Sequence, residues 1–258
     1  MTTAHMSSAR FAQNNATVPQ ANGFRSPQTL ARIAAVLYII IFFAAMFGAI
    51  YVKSTLIVPG DTAATISNLT GSTSLYQASS ASYLLILMSE IALTVLLYVL
   101  FKNVNATLSL MAAAFRLAMT IVHGANLLFQ FMVIALITRS DLQAVFEPDQ
   151  LQALTKTIID AHDVGWAIGI VFFSFHVLLL GYLVYQSGYM PRLLGVILIL
   201  AAASYLFDNV ALLFVAGYTE TPAPLALFII VAELSFPLWL LIRGVNVERW
   251  QQRTLASM

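Results

Sequence analysis

Six ionisable side chains lie within long apolar stretches of this sequence, where they could form ion pairs, carry protons or ligate haem iron. They are Glu90, Arg116, His123, His176, Asp208 and Glu233. A charged side chain at the centre of a lipid bilayer costs roughly 2.5 to 3.5 kcal/mol on insertion scales. We therefore expect these groups to be paired, neutralised or in contact with water inside the protein.

The depths of these residues along their stretches predict two layers. At a rise of about 1.5 Å per residue, four of them lie roughly 13 to 18 Å from one membrane surface: Glu90, Arg116, His176 and Glu233. The other two, His123 and Asp208, lie about 24 Å from that surface. The first group shares the membrane midplane, and the second forms an outer layer.

Helical phase points the midplane side chains toward the protein interior. At about 100° per residue, Arg116, Thr120 and His123 fall on one stripe of their helix, which cannot face lipid. Glu90 lies on a weaker polar stripe of the preceding helix. Arg116 is the only deep cation, so we predict that it contacts Glu90 or Glu233. The carboxyl left over is expected to be neutral, because burial disfavours its charged form.

Two further features should shape the interior. Pro237 cannot donate a hydrogen bond to the carbonyl of Glu233, four residues earlier, which predicts a kink at that point. Gly165 and Gly169 form a GxxxG pattern on the same face as His176. This pattern predicts the close approach of another helix backbone.

The elements that hold these residues are membrane helices. Of the 258 residues, 60% are hydrophobic and only 9% are charged, with a mean hydropathy of +0.86, whereas soluble domains carry about 25% charged residues. Apolar runs without alternation predict helices, because hydrocarbon offers the backbone no hydrogen-bond partner. We expect an all-α polytopic membrane protein, a bundle of six transmembrane helices at 31–52, 81–101, 108–137, 164–186, 192–217 and 223–243.

The chain divides around this bundle. We expect a disordered N-terminal tail at 1–29, the six-helix domain at 30–245 and a C-terminal tail at 246–258. The loop at 53–80 is predicted to be a partly ordered interfacial segment. The loop at 138–163 is predicted to cover the outer face and to contain a helix from Pro148 to Asp160.

The Lys and Arg residues predict the orientation. Eight lie on the side of the two termini, namely Arg10, Arg25, Arg32, Lys102, Arg192, Arg243, Arg249 and Arg253. Three lie on the other side, namely Lys53, Arg139 and Lys156. The positive-inside rule then places both termini in the cytoplasm.

Composition excludes several classes of function. A net charge of +1 gives no basic surface for nucleic acid, and the absence of cysteine removes disulfides and thiolate metal sites. Neither GxSxG nor HExxH occurs, so the sequence favours a role other than catalysis. The lipid bilayer is the expected environment, and a membrane-protein partner or a second copy of the chain remains open.

Three readings of the buried polar residues remain. The set comprises Glu90, Arg116, Thr120, His123, His176, Asp208 and Glu233, and it could serve small-solute or proton-linked transport. It could instead be a structural network in an accessory or assembly subunit, or His123 and His176 could ligate haem for electron transfer. A transporter should have a cavity that reaches Glu90 or Glu233. An accessory subunit should seal these acids and expose a groove at Gly165 and Gly169.

A series of short motifs adds a resemblance. They occur in the order Ala31-Arg32-Ile33-Ala34, Leu37-Tyr38, Val58-Pro59-Gly60-Asp61, Ala113-Ala114-Phe115-Arg116, Gly181-Tyr182-Leu183, Gly188-Tyr189-Met190-Pro191-Arg192, Leu194-Gly195, and Glu233 followed by Trp239-Leu240-Leu241. Over residues 30 to 245 the sequence resembles bacterial integral membrane proteins grouped as domain of unknown function 4386. The resemblance implies six spans and a bacterial plasma membrane, and it brings no catalytic residue, substrate or cofactor. Glu90 stands where the family pattern leads us to expect Asp.

Overall fold

A computed structural model describes residues 26–257, and every regular element in that range is a helix. The elements are α1 (Pro27–Ala45), a π-helical segment (Met46–Val52), α2 (Lys53–Leu56), α3 (Thr62–Gly71), α4 (Thr73–Phe101), α5 (Ala106–Thr138), α6 (Ser140–Gln143), α7 (Pro148–Ser187), α8 (Arg192–Phe214), α9 (Ala223–Ile242) and α10 (Val247–Ala256). The first two elements and α2 form one continuous span, Pro27–Leu56. Together with α4, α5, α7, α8 and α9, it makes six helices that are long and apolar enough to cross a membrane. The expected all-α, six-span fold is confirmed.

The helix predicted from Pro148 to Asp160 begins at Pro148 as expected, but it does not end at Asp160, because α7 runs unbroken for 40 residues through that region and the following span. Its start is well specified, since Glu147 and Gln150 cap each other and Pro148 occupies the first turn. No helix-breaking residue separates this start from the apolar span. At about 1.5 Å per residue the helix is about 60 Å long, so it projects well beyond the hydrocarbon core.

The structure describes only part of the two expected tails. Residues 1–25 of the N-terminal tail lie outside the described range, but α1 already begins at Pro27, a favourable first helical residue. The C-terminal tail contains α10, which packs against the bundle. The Trp250 indole donates to the carbonyl of Leu100 (3.0 Å), and the Asn103 amide donates to the carbonyl of Trp250 (3.2 Å).

The six spans form a closed ring in chain order. α1 packs on α4, α4 on α5, α5 on α7, α7 on α8 and α8 on α9, and α9 returns to α1. The Gln28 side chain joins the two ends of this ring by bonding the carbonyl of Arg243 (3.1 Å) and the amide of Val245 (3.0 Å). We call this end of the bundle the terminal end and the opposite end the distal end.

The half of the bundle nearest the terminal end is filled by apolar side chains. This terminal core includes Leu97, Phe101, Leu183, Val184, Phe236 and Leu240, all nearly inaccessible to solvent. At the terminal end of this core, the Tyr189 hydroxyl donates to the carbonyl of Leu100 (2.8 Å). Burial raises the pKa of Tyr189 above its usual range. The terminal end is therefore closed by packed side chains.

Two glycines bring the backbones of α7 and α8 into contact. A Cβ atom added at Gly195 would lie 2.6 Å from the carbonyl oxygen of Gly181 and 2.7 Å from the amide nitrogen of Tyr185. Backbone atoms cannot rotate away as a side chain can. Only glycine therefore fits at this crossing of the two helices.

We expect Gly195→Ala to lower the free energy of unfolding by about 1 to 3 kcal/mol, because the added methyl group forces the two backbones apart. The measurement is a thermal unfolding curve of the purified protein in mild detergent. Gly71→Ala is the matched control, since no atom lies within 4 Å of a Cβ at that position. An equal melting temperature for the two variants would contradict the close crossing.

Candidate functional site

Arg116 lies at the centre of the bundle with 1% of its surface exposed. It is ten residues into α5, which starts where the Asn105 side chain accepts a hydrogen bond from the Leu108 amide (3.0 Å). The rise of an α-helix therefore carries Arg116 about 15 Å from the start of α5. That depth is close to the middle of the hydrocarbon core.

Side chains from three other helices surround the Arg116 guanidinium. Its Nε forms an ion pair with the Glu90 carboxylate of α4, and its Nη1 donates to the Tyr38 hydroxyl of α1 (3.3 Å) and to His176 Nε2 of α7 (2.9 Å). The rings of Tyr38 and Phe173 lie 5.2 and 5.5 Å from the guanidinium carbon, within the range of cation–π attraction. The contact predicted between Arg116 and Glu90 or Glu233 is present, with Glu90 as the partner.

The hydrogen bonds of His176 define its tautomer. Its Nε2 must accept from Arg116, because a guanidinium has no lone pair to offer. Its Nδ1 lies 2.9 Å from the carbonyl oxygen of Ala112 and donates to it. His176 is therefore a neutral ring with its proton on Nδ1, and it adds no charge to the centre.

Glu233 lies beside this network on α9 and has a different partner. Its Oε1 accepts a hydrogen bond from the Tyr205 hydroxyl of α8 (2.6 Å). The helix continues from Ala223 to Ile242 through Pro237. The centre thus contains a paired carboxylate, Glu90, and a second carboxyl with only a tyrosine as its partner among the described residues.

Thr120 and His123 lie on the same face of α5 as Arg116, nearer the distal end. The Thr120 hydroxyl donates to the carbonyl of Arg116 (2.9 Å), so its bond stays within α5. The His123 ring is stacked on Trp166 of α7, with 4.2 Å between centroids and 3° between planes. Its Nε2 donates to the Trp166 carbonyl (3.2 Å).

Side chains of α5 fill the space beside Gly165 and Gly169, the two glycines of the GxxxG pattern. A Cβ at Gly165 would overlap the Asn126 amide, and one at Gly169 would overlap the His123 ring. The helix α5 packs on this face of α7, and the small residues make room for its large polar side chains. Neither glycine forms an exposed groove.

Asp208 does not join the polar centre. Its two carboxylate oxygens accept from the hydroxyls of Tyr218 (2.7 Å) and Thr221 (2.9 Å), which lie in the connection between α8 and α9. Asp208 is near the distal end of α8, where this connection folds back over it. Its hydrogen bonds hold a distal loop, and we remove it from the proposed site.

The two histidines differ in their capacity to ligate haem iron. Both ring nitrogens of His176 are bonded within the protein, so ligation by His176 would break one of these bonds. His123 bonds the Trp166 carbonyl through Nε2, and its Nδ1 has no partner among the described residues. Among residues 26–257, no group of three or more His, Cys, Asp or Glu side chains is arranged to hold a metal ion.

A cavity of about 320 Å³, the central cavity, reaches this polar centre from the distal half of the bundle. Twelve of its eighteen lining residues are apolar, and the other six are Tyr38, Glu90, Arg116, His123, Tyr205 and Glu233. The π-helical segment contributes Met46 and Ile50, whose surfaces are 41% and 54% exposed. The cavity therefore passes from an accessible rim to a buried, polar floor, and the terminal core closes the space beyond that floor.

A second cavity of about 340 Å³, the distal vestibule, lies next to the central cavity. Trp166 lines both cavities. The Lys53 ammonium and the Asp163 carboxylate, 2.7 Å apart and about half exposed, form an ion pair at the vestibule wall. The Trp166 ring therefore separates a polar outer space from the mainly apolar inner one.

The floor of the central cavity has unused hydrogen-bonding atoms. Arg116 Nη2, Glu90 Oε1 and Glu233 Oε2 bond no other atom of the described residues, although their side chains line the cavity. A bound molecule with a polar group could therefore be held at this floor without breaking an existing bond. Its apolar part would contact the surrounding walls.

Sequence reasoning missed four residues of the site: Tyr38, Trp166, Phe173 and Tyr205. The tyrosines carried a usable signal, because each lies near the middle of its span and tyrosine is ordinarily enriched at the membrane surfaces. A hydroxyl at that depth needs a polar partner. Trp166 and Phe173 had no such signal, since apolar rings are common throughout membrane helices.

Comparisons with known proteins identify a family and name no activity. Residues 33–244 match the family described as Domain of unknown function (DUF4386), which confirms the resemblance read from the sequence. A relative from Archaeoglobus fulgidus, described as an uncharacterized protein, is 31% identical over 160 residues, or 62% of this chain and 80% of the relative. No solved structure matches the chain. This relative is archaeal, so the bacterial origin implied by the resemblance stays an expectation.

We expect Arg116→Met to lower the free energy of unfolding by about 3 to 5 kcal/mol, because it leaves the Glu90 carboxylate buried without its cation. Adding Glu90→Leu should recover at least half of that loss. Unfolding by SDS from mild detergent micelles measures both effects. Lys53→Met, which breaks a half-exposed ion pair, is the control and should cost less than about 1 kcal/mol. Similar losses for Arg116→Met and Lys53→Met would contradict the central role of the buried pair.

Proposed function

The chain belongs to the family described as Domain of unknown function (DUF4386), and we propose that it is a membrane transporter that binds a small, largely apolar solute and links that binding to a proton. One observation carries the proposal: the central cavity reaches Glu90 and Glu233 from the distal half, while the terminal core closes the opposite half. A transporter needs a solute site that is open to one side of the membrane at a time. We assign this arrangement to a state that is open toward the distal end.

The shape and lining of the central cavity support a solute with two unlike parts. Its volume of about 320 Å³ lies at the lower end of the range of cavities that bury small organic ligands. Apolar walls favour an apolar body through the loss of water from both surfaces. The unused polar atoms at the floor favour a polar head at one end of the solute.

The charges at the floor support the link to a proton. Arg116 balances one of the two carboxyls, and the neutral His176 balances neither. Tyr205 from α8 donates to Glu233, and Tyr38, Glu90 and Arg116 line the same cavity from α1, α4 and α5. A proton or a bound positive group is therefore needed to neutralise Glu233 at this depth.

The accessory-subunit alternative has less support. It requires sealed acids and an exposed groove at Gly165 and Gly169. The central cavity instead reaches the acids, and the α5 side chains cover the two glycines. The apolar outer surfaces of the bundle fit a lipid environment, whereas a protein partner or a second copy remains an expectation.

We further propose a plasma-membrane location with the terminal end in the cytoplasm. Among described Lys and Arg residues other than Arg116, six lie at the terminal end and three at the distal end. This bias follows the positive-inside rule. The central cavity would then open toward the outside of the cell.

Saturable quenching of Trp166 fluorescence by 4-bromobenzyl alcohol should reveal solute binding, because a heavy bromine atom in the central cavity lies beside the indole ring. We expect Ala45→Phe, which fills the cavity from α1, to weaken this binding at least tenfold. Trp166→Phe identifies the responding tryptophan.

Ala92→Phe provides the matched control, since Ala92 is exposed on the outer face of α4 and the substitution adds the same bulk. Binding by Ala45→Phe at the strength of the unmodified protein would rule out the central cavity as the solute site.

A further inference from the structure

The floor of the central cavity has a charge requirement that restricts the polar head of its solute. Glu90 and Arg116 cancel each other in a direct ion pair, and His176 is neutral because its Nε2 accepts from Arg116. Glu233 is the remaining ionisable group at the floor, and its Oε2 has no partner among the described residues. The ionised floor therefore carries one net negative charge.

An anionic head does not fit this floor. The guanidinium charge is already compensated by Glu90, so a second anion would face Glu233 without a cation of its own. A neutral head can bind, but it leaves the charge of Glu233 unbalanced unless that carboxyl is protonated. A head with one positive charge balances Glu233 directly.

Aromatic rings complete the surroundings of the floor. The faces of Tyr38 and Phe173 lie against the Arg116 guanidinium and are therefore already engaged by a cation. Tyr205 packs edge-on against Phe173, with 5.4 Å between ring centroids. The preference of the floor for a positive head group therefore comes from Glu233.

If the proposed transport function holds, we propose that the solute is a monovalent organic cation with an apolar body, and that it exchanges with one proton on Glu233. On binding, the O–H bond at Glu233 Oε2 breaks and its electron pair stays on the carboxylate. The proton leaves to water, and the ammonium group takes its place. Tyr205 continues to donate to Oε1 in both states, so the carboxylate keeps its position.

This exchange predicts a definite pH dependence. Where Glu233 is protonated in the free protein, each cation bound releases one proton, so the apparent affinity rises up to tenfold for each unit of pH. Where Glu233 is already ionised, binding releases no proton and the affinity stops changing. The groups that surround Glu233 are Tyr38, Tyr205, Glu90 and Arg116, with His176 behind Arg116 and His123 on the same cavity wall.

The probe is 4-bromobenzyltrimethylammonium, compared with 4-bromobenzyl alcohol, which has the same ring and bromine and no charge. The full-length protein in mild detergent is titrated with each, with Trp166 quenching as the binding signal and a pH indicator in weak buffer as the proton signal. We expect the cation to bind at least tenfold more tightly than the alcohol at the alkaline end of the range. We expect it to release up to one proton per molecule bound, while the alcohol releases none.

Glu233→Gln keeps the shape of the side chain and removes its titration. We expect this variant to lose the proton release and at least tenfold in affinity for the cation. A melting temperature within a few degrees of that of the unmodified protein shows that the variant is folded. His123→Asn tests the other titratable group of the cavity wall and should still release protons.

The outcomes separate the two proposals. Binding of the alcohol without preferential binding of the cation overturns the cation exchange and leaves the solute cavity intact. Binding of neither probe overturns both. Proton release that survives in Glu233→Gln and disappears in His123→Asn overturns the assignment to Glu233.

Discussion

A guanidinium buried at the membrane midplane is the interaction on which the rest of this structure depends. Lipid offers it neither water nor a counter-ion, so every partner has to come from the protein. Glu90 supplies the charge, Tyr38 and His176 accept hydrogen bonds, and Phe173 covers one face. These groups come from α4, α1 and α7, whereas Arg116 is on α5. A shift of any one helix by a single turn would leave the charge without one of them.

The bundle around this charge is built differently in its two halves. Toward the terminal end, leucine, alanine and phenylalanine side chains fill the interior, and glycines let α7 and α8 meet backbone to backbone. Toward the distal end, the interior contains the central cavity and the distal vestibule, separated by the Trp166 ring. A packed half resists deformation, whereas a half with open space can accept a ligand. The polar centre lies where the two halves meet.

The glycines show why a small-residue pattern alone does not identify what fills the space beside it. Gly165 and Gly169 form the recognisable motif, but they receive the side chains of Asn126 and His123. The true backbone crossing uses Gly181 and Gly195, which lie on different helices. A missing side chain leaves a space, and only the neighbouring helix determines whether a backbone, a ring or an amide fills it. Glu233, the carboxyl without a cation, is a similar case. Its role depends on the cavity beside it.

The sequence alone determined the class of the protein, its six helices, the depth of its charged residues and the need of Arg116 for an acidic partner. These features follow from the hydrocarbon of the bilayer, where a polar group without a partner raises the free energy of the folded protein. Only the tertiary structure decided which acid pairs with Arg116, that Tyr205 holds Glu233, that Asp208 bonds a distal loop and that a cavity reaches the centre. Depth and helical phase are properties of one helix at a time. Partners and empty space depend on how six helices are rotated and spaced about a common interior, which no single segment specifies.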